Sequence, residues 1–384
     1  MIKNGSIFWA LALSIGIFAC SDVGTDDSRG AREEQRELRV YCWGEYFSPE
    51  AIEAFTQKTG ITVRQIEFMN ADEMVASMHS QPDQYDIVTV DGTALRQLKE
   101  LSLLKRLDPS RLRNLGNLNP HSLDQAGDRD EMYSVPFLTG TTLIAYRKDK
   151  IPDIRRSWNA LFDPEYKGRI AMLDEFADNF AAALLASGLP MNSSEALDIK
   201  VAKERLFDQV KNLDVRVGAY ADILEALQTG EIWAALNYSG DVAVAALENP
   251  NIDFFIPEEG AILWTDSLVV SRDTQAMDAA YKFLDFMLEG EIAAKNANYM
   301  HLASPNSEAA PFMDAEVISD SRIYLSQEVL DRSSVIQPYK DSLHAARLDK
   351  VKRDFEDTVR ELNAFLNQPG EGLAQTRGEK GGEE

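Results

Sequence analysis

Trp43, Glu45 and Tyr46 place two aromatic rings and a carboxylate close together in the chain. Aromatic faces attract ammonium groups and a carboxylate adds the countercharge, so these side chains could hold a protonated amine. The alternative is that both rings only pack beneath a loop. Residues 38–42 predict a strand and residues 48–50 predict a helix start, with an N-cap serine followed by proline. The trio is therefore expected in a strand-to-helix loop, where ligands of open α/β sheets bind.

Other predicted strands also end in acidic or aromatic side chains. These residues are Asp91, Glu175, Asp178, Tyr238, Asp241, Trp264 and Asp266. One such strand end is commonplace, but several with the same chemistry indicate one shared cleft.

The acidic residues after the strand at 169–173 also permit an enzymatic alternative. Glycoside hydrolysis requires two carboxyl groups, which Asp174, Glu175 and Asp178 could supply. A close amine ligand explains better why acids and aromatic residues occur together, so no catalytic residue is expected. The histidines are scattered without ligand spacing, and no nucleotide fingerprint is evident. We therefore expect neither a metal site nor a cofactor.

Length and composition predict a soluble globular protein, with 384 residues of which 45% are apolar and 27% charged. This length is sufficient for two domains. The formal net charge of -24 disfavours nucleic acid as a partner, because binding to phosphates requires basic surface. A cationic ligand fits the acidic excess, and so does ordinary surface solubility.

The N-terminal segment predicts export from the cytoplasm. Lys3 precedes an apolar run at residues 7–18, so residues 1–19 are expected to be a signal peptide. The run is shorter than the roughly 20 residues that span a bilayer. The ending at residues 17–20 resembles a bacterial lipobox, which implies lipidation of Cys20 and a periplasmic, membrane-anchored protein. Phe18 fits a lipobox poorly, so soluble secretion is the alternative.

Strands and helices alternate along the folded part of the chain. A helix at 49–59 ends at Gly60, a strand follows at 61–66, and Asn70 with Glu73 predicts a capped helix start. This alternation predicts a mostly parallel sheet covered by helices. Extended segments are predicted at 132–137 and 142–146, and helices at 277–287 and 353–366. Cys42 is expected to be a buried strand residue rather than a nucleophile.

Two segments, residues 20–37 and 367–384, are predicted to lie outside the folded part of the protein. The first is expected to be a tether and the second a disordered tail, because both are polar and lack an apolar period.

Four sequence strings closely resemble the polyamine-binding (spermidine/putrescine) proteins of ABC importers. They are residues 41–46, 85–88, 158–168 and 258–268. The resemblance extends over roughly residues 38–366. It implies a two-lobed class II periplasmic binding protein fold with a ligand cleft between the lobes. One lobe would be 38–140 plus 266–312, and the other 141–265 plus 313–366.

The same resemblance implies a binding site and a function. The amine would be held by Trp43, Glu45, Tyr46, Asp91, Glu175, Asp178, Tyr238, Asp241, Trp264 and Asp266. A monomer would deliver it to an inner-membrane ABC permease and its ATPase. Spermidine is slightly favoured over putrescine, because the acids outnumber those a diamine needs. Uptake of another amine such as agmatine, or a sensing role, is the alternative.

Three positions depart from the family pattern and concern the length of the ligand. Thr93 stands near a position that is often tyrosine or serine, and Leu302 falls where the family usually has a tyrosine. Gln337 matches a glutamine contact only after a shift of one residue.

Overall fold

The structure is a computed structural model that describes residues 37–366, apart from 121, 129–131 and 338–339. The predicted signal peptide, Cys20, the predicted tether up to residue 36 and the predicted tail lie outside the described residues. Among the helices described, none combines the length and apolar character needed to cross a membrane.

The strands within the described residues all join one sheet. They are β1 (Glu37–Trp43), β2 (Thr62–Phe68), β3 (Ile87–Val90), β4 (Ser134–Arg147), β5 (Ile170–Leu173), β6 (Arg216–Gly218), β7 (Ala234–Tyr238), β8 (Ile252–Phe255), β9 (Ile262–Val270) and β10 (Ser334–Val335). The order along the sheet is β2-β1-β3-β9-β4-β7-β5-β6, while β8 pairs with β4 and β10 with β9.

Helices follow most of these strands and cover the sheet. They are α1 (Pro49–Thr59), α2 (Ala71–Ser80), α3 (Gly92–Glu100), α4 (Ser122–Gln125), α5 (Phe176–Ala186), α6 (Ala196–Asn212), α7 (Tyr220–Thr229), α8 (Ser239–Glu248), α9 (Met277–Met287), α10 (Gly290–Met300), α11 (Ala315–Ser319), α12 (Gln327–Asp331) and α13 (Ser342–Leu366). A 3-10 turn forms at Trp158–Phe162.

Local sequence signals account for several helix ends. The Ser48 hydroxyl accepts the Ala51 N–H at 3.4 Å, and Gly60 ends α1 in the left-handed conformation with φ 72°. Asn70 caps α2 by accepting the Glu73 N–H at 2.8 Å. These contacts confirm the predicted starts of both helices.

The sheet is mixed rather than mostly parallel as predicted. β1 is parallel to β2 and β3, but β9 runs antiparallel to both β3 and β4. The two extended segments expected around Gly140 form one strand, β4. Gly140 lies opposite Trp264, and a Cβ there would clash with the indole ring. Glycine thus permits close approach of the ring without interrupting the strand.

Three large apolar clusters pack against this sheet. The first is built mainly from residues between Leu143 and Ile262, together with Phe355 of α13. The second combines β1 and α1 with α9 and the end of α10, and the third packs α2 and α3 against β1 and β3. Cys42 is fully buried in the second cluster, as predicted, and burial raises its thiol pKa to about 12. A reactive thiolate is therefore disfavoured at this position.

Candidate functional site

A cavity with about 1050 Å³ of empty space, part of it open to solvent, lies at the carboxyl ends of four strands. Trp43 ends β1, Asp91 follows β3, Glu175 follows β5 after one residue, and Tyr238 ends β7. Helices α1, α3, α5 and α8 begin near these strand ends. Strand-to-helix junctions therefore supply side chains from separately packed apolar clusters to one cavity.

Nine of the ten residues predicted for the site line this cavity. They are Trp43, Tyr46, Asp91, Glu175, Asp178, Tyr238, Asp241, Trp264 and Asp266. Glu45 is not among the lining residues. Its side chain is exposed, and its backbone has a left-handed φ of 52°. The structure therefore brings nine predicted side chains together in one cavity and leaves Glu45 exposed outside its lining.

The cavity lining is strongly acidic. Five carboxyl groups line it, and no lysine or arginine occurs among the described lining residues. Carboxylates surrounded by protein lose hydration, which raises their pKa values unless a cation is nearby. An entering cation would therefore meet carboxyl groups whose negative charge no lysine or arginine of the described lining neutralises.

Asp266 is the most buried of these carboxyl groups, with 7% of its surface exposed. It lies within β9, where it accepts a hydrogen bond from the Tyr46 hydroxyl at 2.5 Å. Burial raises the pKa of Asp266 to about 7, although the Tyr46 hydrogen bond lowers it. Asp266 was predicted to follow a strand end, whereas β9 continues to Val270. The site residue is thus held by a rigid strand.

Glu175 and Asp178 begin α5 on another side of the cavity. The Asp178 carboxylate accepts a hydrogen bond from the Thr142 hydroxyl at 2.6 Å, and Glu175 accepts the Ala71 N–H at 3.4 Å. Burial raises the pKa of Glu175 to about 8, and the charges of Asp178 and Asp91 contribute to the rise. Burial also raises the pKa of Asp178 to about 6. A nearby positive charge would therefore stabilise the ionised forms of Glu175 and Asp178.

Asp91 and Asp241 complete the acidic lining from helix starts. Asp91 caps α3 by accepting the Ala94 N–H at 2.6 Å, and burial raises its pKa above the ordinary value. Asp241 lies in the first turn of α8, where burial raises its pKa to about 6. Helix N-termini favour carboxylates, so the local structure positions both groups.

Aromatic rings form the remaining walls. Tyr238 lies edge-to-face with Trp264 at 6.1 Å between ring centroids, and Tyr220 lies 6.3 Å from Tyr238. Burial, followed by the charges of Asp241, Glu67 and Glu45, raises the Tyr220 pKa to about 12. Rings beside carboxylates suit a ligand with charged ends and an apolar middle.

Sequence reasoning missed several lining residues. Tyr220 begins α7 after a three-residue strand, and Val335 and Ile336 belong to a short C-terminal segment that reaches the cavity because β10 pairs with β9. Gln337 does not line the cavity, although its neighbour Ile336 does. Thr93 and Leu302, the two other departures, do line it. A non-local strand pairing brings residues 335–336 to the cavity, and their short segment carries no local pattern that predicts it.

Comparisons with known proteins show similarity over most of the chain. A family model of bacterial extracellular solute-binding proteins matches residues 50–323. The spermidine/putrescine-binding periplasmic protein of Escherichia coli is 28% identical over 329 residues, which cover 82% of this chain and 93% of that protein. The putrescine/cadaverine-binding protein of Pseudomonas aeruginosa is 30% identical over 318 residues, which cover 79% and 88%.

A solved structure shows the same relationship in three dimensions. It is assigned to a spermidine/putrescine ABC transporter of Listeria monocytogenes and superposes with a TM-score of 0.76. The sequence identity is 31%, and the match covers 84% of this chain and 99% of that chain. The chain thus has a two-lobed α/β fold, which confirms the predicted fold class.

Proposed function

This chain belongs to the bacterial extracellular solute-binding proteins, and we propose that it captures a protonated polyamine for delivery to an ABC transporter permease and its ATPase. The observation that carries the proposal is the charge of the cavity. Five carboxyl groups and five aromatic rings line it, and the described lining residues include no lysine or arginine.

The proposed mode of binding divides the ligand between two kinds of contact. Carboxylates such as Asp266 and Asp178 pair with the ammonium groups through charge-assisted hydrogen bonds. The rings of Trp264 and Tyr238 cover the methylene chain between the charges. The relatives compared above are named for binding spermidine, putrescine or cadaverine, which share this chemistry. The cavity therefore selects an elongated cation with two or three charges.

Lobe closure is part of the same proposal. The lobes are residues 38–140 plus 266–312 and residues 141–265 plus 313–366. Support comes from the apolar clusters, because Leu138 and Leu143 pack in different clusters, as do Ile262 and Leu268. Closure would exclude water from the bound amine and so strengthen its ion pairs.

A ligand panel tests the proposal. Thermal unfolding is measured with putrescine, cadaverine, agmatine, spermidine and spermine at physiological salt. A ligand at 100 times its Kd stabilises the folded state by about 2.7 kcal/mol. We expect amines of two or three charges to raise the melting temperature, with spermidine slightly ahead of putrescine. A rise with a sugar, an anion or a neutral amino acid, and with none of the amines, would overturn the proposal.

The protein is proposed to bind its ligand without transforming it. Glu175 and Asp178 are the carboxyl groups that glycoside hydrolysis would require, but aromatic residues and three further acids share their cavity. A glycoside panel monitored for released sugar provides the test. Turnover that E175Q abolishes would establish an enzyme instead.

Lipidation of Cys20 is the proposed means of anchoring this monomer to a membrane facing the periplasm. It rests on the lipobox-like ending after the apolar segment. Mass spectrometry of the mature protein from native cells is expected to find a lipid on Cys20, and detergent partitioning to place the protein in the membrane phase. A lipid-free first residue on a fully aqueous protein would contradict anchoring.

A further inference from the structure

An ion pair joins the start of α2 to α13 near the Glu175 side of the cavity. The Lys352 ammonium lies 2.6 Å from the Asp72 carboxylate. Helix α2 packs Met74 into the third apolar cluster, whereas α13 packs Phe355 into the first. The ion pair therefore connects two parts of the protein that have separate apolar cores.

A hydrogen bond joins the same two parts one residue earlier. The Ala71 N–H, at the first position of α2, donates to Glu175 Oε1 at 3.4 Å. Ala71 and Glu175 both line the cavity. Helix N-terminal amides lack intrahelical acceptors and bind anions. The start of α2 therefore contacts a cavity carboxyl group directly, and its placement affects that group.

Acidic residues near Lys352 attract its ammonium toward the start of α2. Glu356 lies 3.8 Å away, one turn further along α13. Burial lowers the Lys352 pKa, but Asp72, Glu356 and Glu175 raise it, and the net result is a raised pKa. The lysine is therefore charged at neutral pH and faces acids from its own helix, from α2 and from the cavity.

We propose that Asp72 and Lys352 are positioning residues that hold the first turn of α2 against Glu175. The ion pair fixes α2, and Ala71 then orients the Glu175 carboxyl group for the ammonium of the ligand. The effect on amine affinity rests on the proposed function, whereas the effect on α2 does not.

A purely electrostatic role of Lys352 predicts the opposite result. A lysine near Glu175 repels a cationic ligand, so its removal would tighten amine binding through the field alone. Positioning predicts weaker binding after the same removal, because α2 is no longer held. The sign of the change in affinity therefore separates the two roles.

The decisive variant is K352M, compared with K350M and K352R. Lys350 is a matched control, because it pairs at 2.9 Å with Asp354 on its own helix and is 69% exposed. The Asp72–Lys352 ion pair is partly exposed, so its loss should change amine affinity by about twofold to fivefold. K352M and D72N are expected to weaken spermidine and putrescine binding by that factor in calorimetry, whereas K352R and K350M bind like the wild type.

Hydrogen exchange provides a readout that requires no ligand. In the ligand-free protein, the amides at residues 71–73 are expected to exchange faster in K352M and D72N than in the wild type, K352R or K350M. Unchanged exchange in K352M overturns the proposal, and so does amine affinity equal to or tighter than that of the wild type. If no amine binds the wild type, the proposed function fails, while the exchange result still decides whether the ion pair holds α2.

Discussion

Asp86 and Asp266 are both buried aspartates, but Asp86 meets a guanidinium whereas Asp266 meets a tyrosine hydroxyl. Asp86 is fully buried and accepts hydrogen bonds from Arg39 Nε at 3.0 Å and Nη2 at 2.9 Å. Thr274 donates a further one at 2.7 Å. Asp266 accepts from Tyr46, and within the described part of the chain no lysine or arginine forms an ion pair with it. The protein thus supplies a cation to only one of these two acids.

A second buried aspartate outside the cavity shows the same contrast with Asp266. Asp128, another buried aspartate outside the cavity, pairs with Lys99 at 3.0 Å and accepts the Ser134 N–H at 2.7 Å. A buried charge is tolerated when it is paired and hydrogen-bonded. Acids such as Asp86 and Asp128 have ion-pair partners within the protein, whereas no lysine or arginine is among the described residues that line the cavity. This difference in ion pairing separates the cavity acids from Asp86 and Asp128 better than acidity alone does.

The first prediction concerns Asp266→Asn, which removes the charge and nearly preserves the shape of the side chain. Losing one partner of a buried charge pair costs about 3–5 kcal/mol, or roughly 100-fold or more in affinity. We expect calorimetry to show this loss for spermidine. The melting temperature of the ligand-free protein should stay the same or rise, because an uncompensated buried acid is gone.

Asp241→Asn is the matched comparison for Asp266→Asn. Asp241 is only half-buried at the start of α8, so its charge is better solvated and its loss should weaken binding less. Equal and small losses in the two variants would mean that Asp266 is not an ammonium partner.

The second prediction concerns Arg39→Met, which leaves Asp86 buried without its cation. The free energy of unfolding should fall by about 3 kcal/mol, at the lower end for a broken buried pair because the Arg39 side chain is 22% exposed. Urea denaturation measures this change. Amine affinity of the folded variant should stay within about twofold of the wild type, because distant sites act independently.

Arg39→Lys serves as the control for charge without the two-pronged geometry. It should lose less stability than Arg39→Met, because an ammonium still faces Asp86. A strong loss of amine affinity in a folded Arg39 variant would erase the distinction between structural and ligand-binding acids.

The strand-to-helix junctions were predictable because their signals are local. Trp43, Asp91, Glu175 and Tyr238 follow β-favouring segments and precede helix starts. Parallel strands deliver such residues to the same edge of a sheet. Their resemblance to polyamine-binding proteins added the expected ligand, which composition alone could not supply.

Non-local pairing and backbone direction explain what the sequence did not predict. β9 continues past Asp266 because it pairs with β3 and β4 at once, a contact between segments far apart in the chain. β10 brings Ile336 to the cavity by pairing with β9. Glu45 has a left-handed backbone, and its exposed side chain is not part of the cavity lining. No local apolar pattern encodes these outcomes.

The last prediction concerns proton release when the cavity acids meet their cation. Burial raises the pKa of Glu175 to about 8 and of Asp266 to about 7, from ordinary values of 4.5 and 3.8. The folded ligand-free protein therefore binds more protons than the unfolded chain. The stabilisation that Glu175 and Asp266 give to the folded, ligand-free protein is fully present below about pH 4. It is lost as the pH rises toward about 8.

Ligand binding should have the opposite dependence on pH, because an ammonium favours the ionised carboxylates and displaces their protons. The cavity acids interact, so they should titrate as a coupled group rather than one by one. We expect spermidine affinity to be about tenfold higher at about pH 8 than at about pH 6, while the amine itself stays protonated. Calorimetry in two buffers of different ionisation enthalpy measures the released protons directly. Glu175→Gln should reduce the release, whereas Arg39→Met should leave it unchanged. Affinity that is independent of pH in the wild type would mean that the cavity acids are already ionised before the ligand arrives.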